Sequence, residues 1–333
     1  MVAEARPRSG GSGGGMAYIE LQDSTVMMAA LYNDYSSYMR RVFGCKVQKV
    51  SVDASFTCPN RDGTVGWGGC TYCNNASFSP SYCRRERSVA CQVRDGVAFF
   101  ARKYPQMKYL AYFQSYTSTY GRLDDLMRKY EEALSVDGVV GIVIGTRPDC
   151  MPDVLLSYLS RLSRQTYVMV EYGIESTDDA MLRHINRGHD FAVVRDAVAR
   201  TAGAGVAVGG HIILGLPGDT AESIMRQPAI LSGLPLTTLK LHQLQIIRGT
   251  RMAAEYAAAP GRFALFDVDD YVDVVVAYIE RLRPSMVLDR FVSQSPRELL
   301  VAPDWGLKNY EFVEKVKKRL EAQQTYQGRL YRD

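Results

Sequence analysis

From Lys46 to Ile247 the chain repeats one rhythm, a strand-length apolar run followed by apolar residues at helical spacing. Lys46 to Asp53, with Val47, Val50 and Val52, reads as a strand and precedes a helix carrying Val89, Val93, Val97 and Phe100. Tyr109 to Gln114 leads to a helix with Leu123, Leu126, Met127, Tyr130 and Leu134, and Val139 to Gly145 to one with Val154, Leu155, Tyr158, Leu159 and Leu162. Tyr167 to Gly173 is followed by a helical stretch over about residues 178 to 202, and Val206 to Leu214 and Leu239 to Ile247 complete the series. Spacings of roughly 30 to 40 residues demand parallel strands with crossover helices, because a right-handed βαβ unit needs about that length. A closed eight-unit barrel takes about 250 residues. The repeat here is shorter, so the pattern predicts an α/β fold with an open, partial (β/α)6 barrel.

The flanks differ. Residues 1–15 end in a run of glycine and serine and read as a flexible tail. A helix over about 24 to 43, with Tyr32, Tyr35 and Tyr38, precedes the barrel, so the barrel unit spans 16–250. After Gly249 an amphipathic helix with Val272, Val275, Val276, Ile279 and Leu282 is followed by a strand from Met286 to Val292 and a basic helix from Asn309 to Gln324. Residues 251–333 therefore read as a C-terminal α+β cap.

The first strand runs into residues 56–78, where Cys58, Cys70 and Cys73 share a loop rich in Gly, Asn and Asp. Cys70-Thr71-Tyr72-Cys73 puts two sulfurs on one side of a tight turn, as soft metal centres and redox dithiols require. Gly63, Gly66, Gly68 and Gly69 let the backbone take positive φ beside a bulky inorganic centre. Structural zinc needs four protein ligands, so Cys83 would have to join. A four-iron cluster on three cysteines leaves one iron open. On the loop alone both occupants stand.

Seven cysteines with one tight group do not form a secreted disulfide framework, and thiolate ligands suit a reducing cytoplasm. No apolar run approaches the roughly 20 residues of a membrane span, and the N-terminus lacks the apolar core of a signal peptide. The net charge is +4, with a local balance of +7 between Arg40 and Lys103. That excess surrounds the cysteine loop in sequence and points to a phosphate-bearing partner, an RNA above all; a solvated basic face is the plainer explanation.

Cys58, Cys70 and Cys73, with an aromatic residue before the last and a long first spacing, resemble the cluster loop of radical S-adenosylmethionine (SAM) enzymes. The spacing is similar to that of the branch containing the catalytic subunit of elongator and its smaller bacterial relatives, which lack an acetyltransferase domain. The resemblance implies that the three cysteines hold a [4Fe-4S] cluster whose open iron binds SAM. Electron transfer from a reductant such as flavodoxin or ferredoxin then yields a 5′-deoxyadenosyl radical.

Further motifs fall at successive strand ends, where a parallel barrel gathers its functional groups. Gln114 and Ser115 resemble a motif beside the methionine moiety of SAM, though a polar turn would look alike. Gly145-Thr146-Arg147-Pro148-Asp149 is similar to the branch's TRPD signature. Arg147 offers a fork for a carboxylate or phosphate, and Asp149 either fixes that fork or accepts from a ribose hydroxyl; a structural Arg-Asp pair is the alternative. The fourth strand gives Glu171, Gly173 and Glu175 as cofactor contacts, with Glu175 where the family commonly has glutamine. Asn186-Arg187-Gly188-His189 matches another branch motif. His211 to Asp219 resembles the HxIxGLPGE stretch, whose apolar backbone around Leu216 packs on the adenine of SAM. Lys240, His242 and Arg248 could face substrate or end a strand.

Cys45, Cys83, Cys91 and Cys150 have no paired spacing and read as incidental thiols. The resemblance covers roughly residues 30 to 300 and implies modification of the C5 side chain of a tRNA wobble uridine. Radical chemistry on a protein or small metabolite is the enzymatic alternative, and a zinc-stabilised RNA-binding module the non-enzymatic one.

Overall fold

A computed structural model of the chain describes residues 30–78, 80, 82–102 and 106–332. The expected tail and the first part of the N-terminal helix lie outside them. Helix α1 spans Tyr35–Phe43. The Asp34 carboxylate accepts from the Ser37 N–H at 3.0 Å to start it, and Gly44 at φ +69° ends it.

Strands β1 (Val47–Val52), β2 (Lys108–Phe113), β3 (Val139–Thr146), β4 (Tyr167–Glu175), β5 (Ala207–Leu214) and β6 (Thr238–Gln243) lie side by side in chain order, all parallel. Helices α2 (Val89–Ala101), α3 (Leu123–Leu134) and α4 (Asp153–Leu162) fall where the helical periodicity predicts them. The stretch after β4 is not one helix. It splits into α5 (Asp179–His184) and α6 (Phe191–Gly203), because Asn186 adopts φ +54° and Gly188 φ +78°, which an α-helix cannot contain. Helix α7 (Ala221–Ser232) connects β5 to β6. The expected strand from Leu239 to Ile247 likewise divides, with β7 (Ile246–Ile247) separate from β6.

Helix α8 (Arg251–Ala258) and α9 (Val268–Arg281) lead to β8 (Val287–Arg290). The sequence places this strand in the cap. Instead it pairs parallel to β6 and becomes the seventh strand of the main sheet. Strand β9 (Leu300–Ala302) pairs antiparallel with β7, and α10 (Asn309–Ala322) packs on α9. The result is a curled parallel half-barrel with C-terminal helices and a small two-stranded sheet.

Alternate strand residues point outward, where Val52, Phe113, Ile144, Val170, Ile212 and Leu241 bury against the helices. The inward set differs by level. At the N-terminal end Met39 of α1 packs with Leu110, Val143 and Met169 and plugs the barrel. The first of the described residues are tied to the C-terminal part there, with the Leu288 N–H donating to Asn33 O at 2.8 Å and the Gln327 N–H to Leu31 O at 3.0 Å. Among the described residues no helix is long and apolar enough to cross a membrane.

Candidate functional site

The cysteine loop lies at the C-terminal mouth of the half-barrel and is tied down at three levels. Within the loop, the Arg61 N–H donates to Cys58 O at 2.8 Å, the Cys73 N–H to Cys70 O at 3.1 Å, and the Arg61 guanidinium to Cys73 O at 3.0 Å. Across to the segment after β4, Asn60 donates to Asn186 O at 2.6 Å, Asn186 to Gly69 O at 2.8 Å, and the Thr71 N–H to Ile185 O at 3.0 Å. From the C-terminal side, the Met252 N–H reaches Thr71 O at 2.9 Å. Three of the four loop glycines take positive φ as expected, and Gly66 does not. Gly66 is needed for space instead, since a Cβ there would stand 2.4 Å from Asn60 Oδ1.

No disulfide joins the cysteines. Burial, then the adjacent Cys70 sulfur, push the Cys73 thiol up to about 11, with Cys58 close enough to add to the effect. Cys83 does not join: its thiol faces Gln92 Oε1 at 3.2 Å, and burial pushes it up to about 12. Among the described residues no three His, Cys, Asp or Glu side chains gather as ligands of a single ion. Thiolates that each take a different iron stand further apart than thiolates sharing one zinc. Buried Cys150 has no paired spacing in the sequence, yet Cys58 is near enough to help raise its thiol, after burial and Asp149.

Two guanidiniums flank the cysteines. Arg147, 2% exposed, gives Nε and Nη2 to the Asp149 carboxylate at 2.9 and 2.8 Å and Nη2 also to Arg187 O at 2.7 Å, while Nη1 has no partner. Burial raises Asp149, but this fork overcomes it and holds the carboxyl below its ordinary value. Arg187 points Nη1 at Cys70 Sγ, 3.5 Å away, donates from Nη2 to Gly173 O at 2.5 Å, and leaves Nε without a partner. The sequence named the segment of Arg187 but assigned that side chain no role. Its placement depends on the turn that breaks the expected helix.

Glu175 sits at φ +67° after an irregularity in the β4 to β5 pairing, which turns its carboxylate back to 3.8 Å from Arg187 Nη2. A left-handed backbone at a non-glycine residue costs on the order of 1 kcal/mol, and such conformations concentrate at functional sites. Gln114 donates to Ser51 Oγ at 2.9 Å, and Ser115 is buried beside it. Leu216 is buried, and its N–H and that of Gly215 both donate to Asp219 Oδ2, at 2.9 and 3.1 Å. The apolar turn expected at the adenine is thus fastened by its own aspartate. His189 contacts Asp190 O at 3.0 Å, and burial, then Arg187, lower it to about 4.

Glu171 and His211 lie one level below, in a layer of lumen charges. Glu171 accepts from Lys49 and Lys240, both at 2.7 Å, and faces His211 Nε2 at 3.1 Å. Asp289 of β8 takes Lys49 at 2.6 Å and stands 3.4 Å from Lys240, whose ammonium also donates to the Tyr112 hydroxyl at 3.1 Å. Burial pushes Glu171 up, but Lys240 and Lys49 outweigh it and hold the carboxylate well below its usual range. Both its oxygens are engaged within the chain. Lysines on β1 and β6 were legible as inward positions only once the strands close around a lumen.

The Radical SAM superfamily profile matches residues 58–226, and the Radical SAM C-terminal domain profile matches 236–322. The chain belongs to the radical SAM superfamily. It is 36% identical over 300 residues to YtqA of Bacillus subtilis, covering 90% of this chain and 92% of that protein. It is 28% identical over 160 residues to human Elongator complex protein 3, covering 47% of this chain and 28% of that one. Among solved structures, Elp3 of the archaeon Methanocaldococcus infernus superposes with a TM-score of 0.64 at 16% identity, over 84% of this chain and 64% of the archaeal one. The radical SAM chain thus shares its fold with Elp3 and is partly homologous to it.

Its cofactors are a [4Fe-4S] cluster and SAM. The mouth fits them: three thiols share one loop, Cys70 Sγ faces a guanidinium, and Arg147 Nη1 and Arg187 Nε lie buried with no protein partner. Buried donors of this kind call for an anionic group.

Proposed function

We propose that this radical SAM enzyme modifies the C5 side chain of a wobble uridine in tRNA, with conversion of carboxymethylaminomethyl to aminomethyl as the first reaction to test. The observation that carries the reading is the sequence relationship to Elongator complex protein 3, whose branch the cysteine loop resembles. The charge at the mouth supports it in a changed form. Arg40, Arg41 and Lys46 lie at the plugged end and Lys49 in the lumen, so the sequence-local excess does not all surround the loop. Arg61, Arg122, Arg183 and Arg248 come to the mouth from four separate segments and replace it.

In this reading Cys58, Cys70 and Cys73 hold the cluster, and Arg187 neutralises part of its charge from 3.5 Å beyond Cys70 Sγ. Arg147 Nη1 and Arg187 Nε hold the carboxylate of SAM, with Gln114, Ser115, Asp149, Gly173, Glu175 and Leu216 lining the rest of its site. Bound there, the cluster and SAM supply a 5′-deoxyadenosyl radical. The plug of α1 closes the far end against water, so substrate enters from the mouth alone. Glu171 orients His211 toward the lumen. A ferredoxin or flavodoxin serves as reductant.

The test has two stages. Anaerobically reconstituted protein should carry four irons and release 5′-deoxyadenosine from SAM with dithionite, and Cys70→Ala should do neither. Nucleosides from tRNA of a deletion strain should then accumulate the carboxymethylaminomethyl form. Unchanged nucleosides alongside intact SAM cleavage would move the substrate to a protein or metabolite.

A further inference from the structure

Trp67 sits within the cysteine loop, between the first ligand position and the last two, with 75% of its surface exposed, more than any other large apolar side chain described. Burying an aromatic of this size is worth about 1.5–3 kcal/mol, so a fold that leaves it in water forgoes a large stabilisation. Its position is nevertheless fixed. Asp62 and Trp67 form an antiparallel bridge, the Gly63 N–H donates to Gly66 O at 3.1 Å, and Asn186 donates to Trp67 O at 3.3 Å. The indole lies across Gly63, where a Cβ would come within 2.3 Å of ring carbon Cζ2. One side of the ring is thus seated on backbone, the rest of it is open, and the adjoining Gly68 has empty space around it.

The surroundings are aromatic and cationic. The Arg61 guanidinium lies 5.6 Å from the centroid of the Tyr116 ring, which is 36% exposed and held at φ +57°. Thr64 and Tyr120 pair their hydroxyls at 2.8 Å, joining the hairpin to the segment after β2. Among the described residues Arg61, Arg122, Arg183 and Arg248 make no ion pair. Asp62 is the one exposed carboxylate inside the hairpin. Ordered exposed aromatics together with arginines that no carboxylate neutralises form a surface on which bases stack while the backbone phosphates meet cations. A protein partner would also use aromatic and arginine anchors, but Val65, 46% exposed, is the only aliphatic bulk on the hairpin to fill its pockets.

We propose that Trp67 is a nucleobase-stacking platform that receives an unpaired base of the RNA substrate at the barrel mouth, with Arg61 of the same loop and Tyr116 nearby. This rests on the tRNA reading and adds to it a specific contact.

The test uses the reconstituted protein and a fluorescein-labelled RNA hairpin with a uridine-rich loop, read by anisotropy across a salt series. Trp67→Ala should weaken binding about 5- to 150-fold, the worth of one stacked base, and Trp67→Phe should recover most of the loss. The dependence of log K on log salt should keep its slope in Trp67→Ala, because an indole neutralises no phosphate, whereas Arg122→Gln should flatten it. Iron content of the same samples reports whether the loop still holds its cluster; if Trp67→Ala loses iron, the comparison of wild type with Trp67→Phe and Trp67→Leu decides. Equal binding by wild type and Trp67→Ala, or by the Phe and Leu variants, overturns the platform and leaves the indole to a protein partner. Loss of RNA binding in wild type together with unchanged tRNA nucleosides in the deletion strain overturns the tRNA reading as well. Altered nucleosides with intact binding in Trp67→Ala overturn the platform alone.

Discussion

Two polar layers stand one above the other in the half-barrel, and they are finished differently. In the lumen layer Lys49, Lys240, Glu171 and Asp289 satisfy one another, with Tyr112 and His211 taking the remaining bonds. In the mouth layer Asn60, Thr71, Thr117, Arg147, Arg187 and His189 each keep a buried atom without a protein partner. They account for six of the ten such atoms among the described residues. Native proteins leave few buried polar groups unpaired, so their concentration around three cysteines sets this layer apart as one with room for a bound group. The lower layer is complete without one. The exceptions are the Tyr35 hydroxyl, on the ring 4.3 Å from Lys49 Nζ, and His242 Nε2, on the ring whose centroid lies 5.5 Å from that of His211.

This contrast can be broken or sharpened by substitution. The largest effect belongs to Cys70→Ala, which should lower iron content and SAM cleavage to background without unfolding the chain, checked by iron assay and circular dichroism. Next is Glu171→Gln, which leaves two lumen lysines short of a carboxylate. Removing one partner of a buried ionic network costs about 3–5 kcal/mol, so denaturant melts of the cofactor-free protein should show a loss of that order. Arg147→Met in the layer above should cost the cofactor-free protein less, about 1–3 kcal/mol from unmade hydrogen bonds, but should remove most of the stabilisation that SAM confers on the reconstituted enzyme. Equal losses for the two variants with and without SAM would erase the distinction between the layers.

A smaller effect is expected at the apolar turn. Burial pushes the Asp219 carboxyl up to about 6, against the backbone donors of Leu216 and Gly215. The folded state therefore holds this proton more tightly than the unfolded chain. Its contribution to stability is full below about pH 4 and declines as pH rises to about 6. Asp219→Asn should flatten that part of a stability profile measured by denaturant melts. The smallest change is expected for Glu175→Gln, which keeps the side chain's shape and removes its charge. Its carboxylate meets Arg187 only at 3.8 Å and stands in no larger ionic network, so denaturant melts should show a smaller loss than Glu171→Gln does.

The half-barrel was legible because buried parallel strands leave a strong apolar signature and their crossover helices enforce a spacing. The cysteine loop stood out because three thiols among glycines point to a soft metal centre or a redox dithiol. Lys49 and Asp289 were not legible, and Lys240 was legible only as a strand-end residue that could face substrate. A polar residue alternating with valines or leucines in a strand reads as solvent-facing, whereas in a curled sheet the polar face turns inward. Strand β8 read as part of the cap for a related reason, since four residues carry no mark of the neighbour they pair with. The turn at Asn186-Arg187-Gly188-His189 was visible as a motif, yet only its positive φ angles explain how Arg187 reaches Cys70 Sγ.

The anchors of the cysteine loop also set an order in time. Thr71 is held by Ile185 on one side and Met252 on the other, so these anchors of the loop are complete only once the chain through Met252 has left the ribosome. A cluster should therefore be loaded into a finished barrel and not onto an emerging chain. Cells short of cluster-assembly machinery should accumulate this protein folded and empty.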